Sequence, residues 1–360
     1  MNGRVAISIL VLGAACSACA QDAGSSQERR FATRYSVQAI NDTTLYGNRN
    51  PRMPATLNQL LLEPAFSVRF RNRWSFSSSL VGSTATSSDT RSRVFVKETY
   101  AGLSAGDFDF MAGRKMVRWG TGYAFTAAGV LDPPRMPADP TDRLNLNQGR
   151  DMVKADWVRG PHALTAVWST AALASKAFTV HDTAAFRYNV LVRGFDTSLI
   201  AGGDRGGDAF GGLTFTRVVG QAWELHGEAV WRAQAAALIG AKFTTGSGVS
   251  FIGEFYTPPN TAYFRRAGVS PLAGRPHYAF LRAEKARLRE LPGWKQWGVA
   301  GAVVSNLDDH SSTVAFDVSR WFGNHFSTYV HVEAPSGGGK SEYGSAPYSS
   351  ATSVGVSFHL

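Results

Sequence analysis

Residues 221–234, QAWELHGEAVWRAQ, alternate apolar and polar side chains, and this two-residue period constrains the fold most. Trp223, Leu225, Gly227, Ala229 and Trp231 take one parity. Glu224, His226, Glu228, Arg232 and Gln234 take the other, with Val230 the exception. Side chains that alternate in this way lie on opposite faces of a β-strand. The polar face here is charged, and the apolar face carries tryptophan near both ends. A soluble sandwich would hide that apolar face in a core. A membrane barrel turns it to lipid, with aromatic girdles at the two interfaces and a wet, charged interior. The pattern recurs along the chain, which predicts an all-β outer-membrane barrel.

The first twenty residues read as a cleaved signal peptide. Arg4 is followed by a short apolar run, too short to span a bilayer as a helix. Ala18-Cys19-Ala20 fits a small-x-small cleavage site, with maturation at Gln21. A lipoprotein reading through Cys16 competes, but Gly13 stands where a lipobox has Leu. Both cysteines, Cys16 and Cys19, fall in this segment. Residues 21–360 therefore have no disulfide framework, thiolate metal site or cysteine nucleophile. The formal charge is +10. Its basic residues are spread over strands rather than collected on one helix or tail, which argues against nucleic acid as the partner. Lipid and lipopolysaccharide headgroups outside, and small solutes inside, are the expected partners. No cofactor is expected.

Counting the alternating segments gives about eighteen strands, or sixteen if weak ones merge, in a single antiparallel up-and-down barrel. Tight turns with Gly, Asn or Pro join hairpins near residues 72, 106, 160, 194, 220, 246, 292 and 323. Longer connections are expected at 41–63, 116–149, 258–275 and 334–348. Short turns on one rim and long loops on the other suit an outer-membrane barrel. The last strand alternates Val354, Val356, Phe358 and Leu360 to the final residue. It resembles the C-terminal insertion signature of such barrels, although it ends on Leu.

The connection at 116–149 is far above ordinary loop length, so a functional or packed role is expected. It carries Arg118, Asp132, Arg135, Asp139, Asp142 and Arg143. Around it, Lys97-Glu98-Thr99-Tyr100-Ala101-Gly102-Leu103, the run 113–120 (GRKMVRWG) and Leu131-Asp132-Pro133-Pro134 resemble porin-type outer-membrane barrels of Gram-negative bacteria. The likeness lies near the alginate-export and carbohydrate-porin types and is silent on the solute. It implies a passive channel for small hydrophilic solutes, narrowed by a long loop folded inward.

The expected pore-lining residues are those six loop charges together with Arg69, Arg71, Glu98, Arg114, Glu224, His226, Glu228, Arg232, Lys242 and Glu254. On the lipid face, an Arg or Lys at mid-bilayer would cost about 2–4 kcal/mol, so the lumen is the cheaper place. Glu98 and Arg114 are expected to pair across their hairpin. Parity sends Arg114 outward unless a bulge near Gly113 restores it. The basic excess suggests anionic solutes.

Two other classes bear weighing. A plugged barrel for surface structure or export would need this loop as its plug. A lipid-modifying enzyme would need a Ser-His-acid arrangement, and the eight histidines are scattered. His226 with Glu228 is too small a set for a metal site. Asp139 and Asp142 are read as solvated loop charges rather than a calcium site. Oligomeric state is open, with a homo-oligomer one option.

Overall fold

The computed structural model describes residues 31–360 apart from 52, 72, 134, 140–141, 145, 171–181, 233, 258–276 and 290. The signal segment and the 258–275 connection therefore lie outside the described residues, save that β14 is led in by His277.

Eighteen antiparallel strands form one closed sheet among the described residues. The first quarter comprises β1 (Phe31–Asn48), β2 (Thr56–Phe70), β3 (Trp74–Thr86), β4 (Thr90–Ala105) and β5 (Phe108–Lys115). After the long connection come β6 (Arg150–Arg159), β7 (His162–Thr170), β8 (Thr183–Val192), β9 (Phe195–Asp204) and β10 (Ala209–Val219). Next are β11 (Trp223–Arg232), β12 (Gln234–Thr244), β13 (Ser250–Thr257) and β14 (Tyr278–Lys285). The ring ends with β15 (Trp297–Asn306), β16 (Ser311–Phe322), β17 (Phe326–Ser336) and β18 (Tyr348–His359). Each strand pairs with its sequence neighbours, and β1 closes on β18 in a register running from Gln38↔His359 to Asn48↔Tyr348. Closure is what lipid demands, because an open edge there would leave several kcal/mol of unmet hydrogen bonding per group.

The period of two sorts the wall strands into an inner and an outer face. On β11, Trp223, Leu225 and Trp231 are exposed outward, while His226, Glu228 and Val230 are buried inside. Leu199 on β9, Leu281 on β14 and Val354 on β18 continue the outer apolar face. Aromatic pairs cluster at the rim that carries both termini: Phe31–Phe70 at 4.8 Å, Trp223–Phe243 at 4.7 Å and Phe322–Phe326 at 5.5 Å between ring centres.

Two expectations need correction. Residues 41–63 are mostly strand, and the true connection is 49–55. Asn41, Thr43 and Asn58 leave this hairpin without a sharp polarity contrast, so its alternation is hard to see. Loop lengths are also less one-sided than expected. On the long-loop rim β3–β4 spans only 87–89 and β9–β10 only 205–208. On the opposite rim β14–β15 spans 286–296.

Candidate functional site

The connection 116–149 folds into the barrel, and two wall carboxylates hold it there. Glu228 on β11 accepts from the backbone N–H groups of Thr121, Gly122 (2.8 Å), Ala127 (2.6 Å) and Ala128 (2.7 Å). The hydroxyls of Thr121 and Thr126 donate to it as well. Glu254 on β13 accepts from the N–H groups of Tyr123, Ala124 (2.9 Å) and Phe125 (3.3 Å). Within the loop, Asp132 accepts from Trp119 N–H (2.6 Å) and Gly120 N–H (3.2 Å). An irregular segment buried in a protein must find partners for its backbone. Here carboxylates supply them, each bond to a charged acceptor being worth roughly 1.5–3 kcal/mol.

Apolar contacts seat the same segment. Trp119, Ala128 and Leu131 pack on Met111, Met152, Val167, Ile200, Phe210 and Val230. Ala124 and Phe125 pack on Leu238, Ile252, Tyr256, Tyr278 and Phe280. Val230, the exception to the alternation of β11, is therefore an inward residue that meets the loop. Gly122 needs its small size, since a Cβ would lie 2.3 Å from Phe125 O and 2.8 Å from Leu238 Cδ1. Further along, Leu144 and Leu146 rest on Ile40, Leu61, Val81 and Phe95. Arg143 bonds Asp139 (3.0 Å) and reaches Asp42 on β1 (3.4 Å), which also accepts from Tyr329 Oη (2.7 Å). The loop thus touches most of the inner wall.

The expected lumenal charges fall into three groups. Glu224, Glu228, Glu254, Lys242 and His226 contact the loop or one another. Glu224 accepts from Tyr123 Oη (3.0 Å), and Lys242 stands 5.2 Å from the centre of the Tyr123 ring. His226 is fully buried, with Nε2 3.1 Å from Glu254 Oε1 and an edge contact to Tyr123. His226 and Glu228 share a face yet serve different partners. Asp132 pairs with Arg135 (3.5 Å), and burial pushes its carboxyl above the ordinary range against the pull of the Trp119 N–H. Asp142 accepts from Asn147 (2.9 Å), and Arg118 is exposed. Arg232 bonds Asp204 at the long-loop rim. Arg69 faces the lumen near the other rim, in parity with Leu61 and Glu63.

Two members depart from expectation. Arg71 lies in the β2–β3 turn with φ 48°, exposed, beside the Phe70 ring, so it does not line the wall. Alternation alone does not mark where a strand stops. Arg114 does not take Glu98 as its partner. It keeps the parity of Phe110 and Ala112 and binds Asp151, its register neighbour on β6, through Nε (3.0 Å) and Nη2 (2.7 Å). Glu98 instead accepts from Met116 N–H (2.7 Å), pinning the first residue of the loop. The register passes Gly113 without a shift, although that glycine has φ 130°. The bulge lies on the other side of β4, where Lys97 is the unmatched residue opposite Ser79 and Leu80.

Sequence reasoning missed several lumenal groups. Lys97 is 2% exposed and its Nζ lies 2.6 Å from Glu63. Asp42 sat in a stretch read as loop. Glu342, in the β17–β18 connection, accepts from Tyr278 Oη and Asn306 Nδ2, both at 2.7 Å, so a second loop also turns inward. Tyr343 packs against the cluster that holds Phe125. Nothing in the sequence of 337–347 signals this. Below the loop lies a cavity of about 360 Å³ lined by Gln38, Arg143, Arg282, Asp317, Tyr329 and Ser357 among others.

No protein-family model and no curated protein matches the sequence. Solved structures do resemble it. Pseudomonas aeruginosa OccK5 (OpdH) aligns at TM-score 0.60 and 8% identity over 91% of this chain and 98% of that one. OpdK of the same organism aligns at 0.60 and 11% identity, over 91% and 98%. Wzi of Escherichia coli, described as a carbohydrate-binding β-barrel involved in group 1 capsule assembly, aligns at 0.59 and 11% identity, over 90% and 83%. The chain has the fold of porin-type outer-membrane barrels.

Proposed function

We propose that this protein is an outer-membrane channel of the porin type, passing small hydrophilic solutes by diffusion. The observation that carries the proposal is the cavity beneath the inward loop. It is walled by both signs of charge, and the exposed outer face is apolar. Rings of charge and a narrowed bore are how such channels select. The likeness to OccK5 and OpdK supports the same reading.

A mild preference for anionic solutes belongs to the proposal. Arg143 is matched by Asp42 and Asp139, and Arg282 by Glu284 at 2.8 Å. The lean therefore rests on Arg69, Arg118 and Lys242, for which no ion pair is seen among the described residues. Reconstitution in planar bilayers is the test. Discrete conductance steps are expected, and Arg69→Glu should move the reversal potential in a salt gradient towards cations. An unchanged potential would remove Arg69 from the conduction path.

A second reading is a plugged barrel serving surface structure or export. The apolar seating of Trp119, Phe125 and Leu131 favours it, as does the likeness to Wzi. Electrical silence of a correctly folded protein would select that reading. Residues 1–20 are proposed as a cleaved signal, which predicts a mature chain starting at Gln21 on N-terminal sequencing. The outer leaflet would present lipopolysaccharide to the long-loop rim. Mass in detergent reads the oligomeric state.

A further inference from the structure

The β14–β15 connection is the longest on the rim that holds the termini, and it is the most basic. The eight connections of that rim carry six Lys or Arg and two acids, Asp107 and Glu290. Arg287, Arg289 and Lys295 all fall within 286–296. The described residues of this segment are folded. Leu291 N–H donates to Leu288 O (3.2 Å), Trp294 N–H to Leu291 O (3.0 Å) and Trp297 N–H to Trp294 O (2.9 Å). Gln296 O accepts from Trp321 N–H (3.0 Å), which draws the connection against the end of β16.

Arg320 sits at that junction. It is the register partner of Trp297 and shares parity with the exposed, lipid-facing Val314 and Phe316. Its guanidinium lies 5.2 Å from the Trp297 ring centre and 4.7 Å from that of Phe322. Its Nε is buried and has no hydrogen-bond partner. A cation on the outer face near an interface costs about 0–1 kcal/mol, against 2–4 at mid-bilayer, so this depth tolerates it. The guanidinium rests on aromatics, and the side chain keeps part of its surface exposed. Trp294, 5.1 Å from the Trp297 ring that Arg320 covers, and Leu291 in the same connection are half exposed, an amphipathic surface of interfacial type.

We propose that this corner binds the phosphate of an anionic glycerophospholipid from the periplasmic leaflet. Arg320 supplies the anchoring donor. Lys295, Arg287 and Arg289 supply flanking charge, and Trp294 and Leu291 lie against the acyl–glycerol region. The committed occupant is a lipid because the guanidinium faces the apolar belt rather than the lumen. Basic residues near a membrane surface attract anionic headgroups in this way.

The test is native mass spectrometry of the full-length mature protein in micelles containing equal phosphatidylglycerol and phosphatidylethanolamine. The wild type should retain a phosphatidylglycerol adduct in preference. Arg320→Gln with Lys295→Gln should lower retention about ten-fold. Arg71→Gln with Arg73→Gln and Arg193→Gln, several strands away around the ring, should leave it unchanged. Excess inorganic phosphate should not strip the adduct. Folding is checked by heat-dependent migration on gels. If the Arg320 variant fails to fold, Arg287→Gln with Arg289→Gln and Lys295→Gln, all at exposed positions, carries the test. Equal retention of the two lipids by the wild type would overturn the proposal and give the patch to a soluble acidic partner. Equal losses from the distant and local variants would also overturn it, as would full displacement by phosphate.

Discussion

Glu228 is the residue on which the interior turns. Two oxygens collect four backbone N–H groups and two hydroxyls from eight consecutive loop residues. Glu228→Gln puts an amide donor where only acceptors fit. It should destabilise the docked loop by about 2–4 kcal/mol, because unmet buried N–H groups cost roughly 1–3 each and water in the lumen recovers part. Higher conductance and faster cleavage of 116–149 by protease should follow, and both failing to change would refute the clamp. Glu342 gives a prediction of opposite character. Burial raises its pKa above the ordinary 4.5, despite the Tyr278 and Asn306 hydrogen bonds. The folded state therefore holds its proton to higher pH than the unfolded chain does. Stability from this group falls as pH rises from 4.5 to its raised value, and recovers as pH falls through that value. Unfolding midpoints measured across that window should lose this slope in Glu342→Gln. That Glu228 faces inward was legible from its parity with Glu224 and His226. What it binds was not, because its partners are peptide groups that any sequence carries.

At the scale of the strand, β4 shows what alternation conceals. From Leu103 back to Thr99 one parity faces outward, and from Val96 back to Val94 it is the other. The switch is the bulge at Lys97, which brings its ammonium to Glu63 across two strands. A bulge of this kind re-aims one side chain without ending the pairing. The sequence places Lys97 beside Glu98 and gives no sign of which is extra, so alternation alone does not place the bulge. Lys97→Met would leave Glu63 without its cation in a largely buried site. Removing one partner of such a pair costs about 3–5 kcal/mol. Since Glu63 retains some exposure, the lower end is expected, read as a drop in denaturation midpoint with the slope unchanged. Glu63→Gln in the same chain should recover much of the loss, an outcome that simple loss of packing at residue 97 would not give.

For the molecule as a whole, the two faces of the sheet answer to different solvents. The outer face is legible almost residue by residue, since Trp223, Leu225, Trp231, Val354 and Phe358 fall where the period of two puts them. The interior is less so, because it is built by loops whose seats lie on strands far away in sequence. Phe125 of the loop meets Tyr278 of β14 at 5.5 Å between ring centres, and no local pattern joins them. This asymmetry predicts how substitutions divide. Leu199, outward on β9 and 57% exposed, should tolerate arginine poorly, with a loss of about 2–4 kcal/mol if it lies near mid-bilayer. Ser67, inward on β2, should accept the same change with a far smaller loss, because its neighbours across both ladders, Arg34 and Ser77, are polar. Urea titration of both variants folded into lipid vesicles measures the difference. A soluble stacked-sheet protein would bury Leu199 in a core and show the same order, but it would fold without vesicles, so a parent chain that folds only in lipid separates the two architectures. Equal losses, or a larger loss at Ser67, would mean that the apolar face does not meet hydrocarbon.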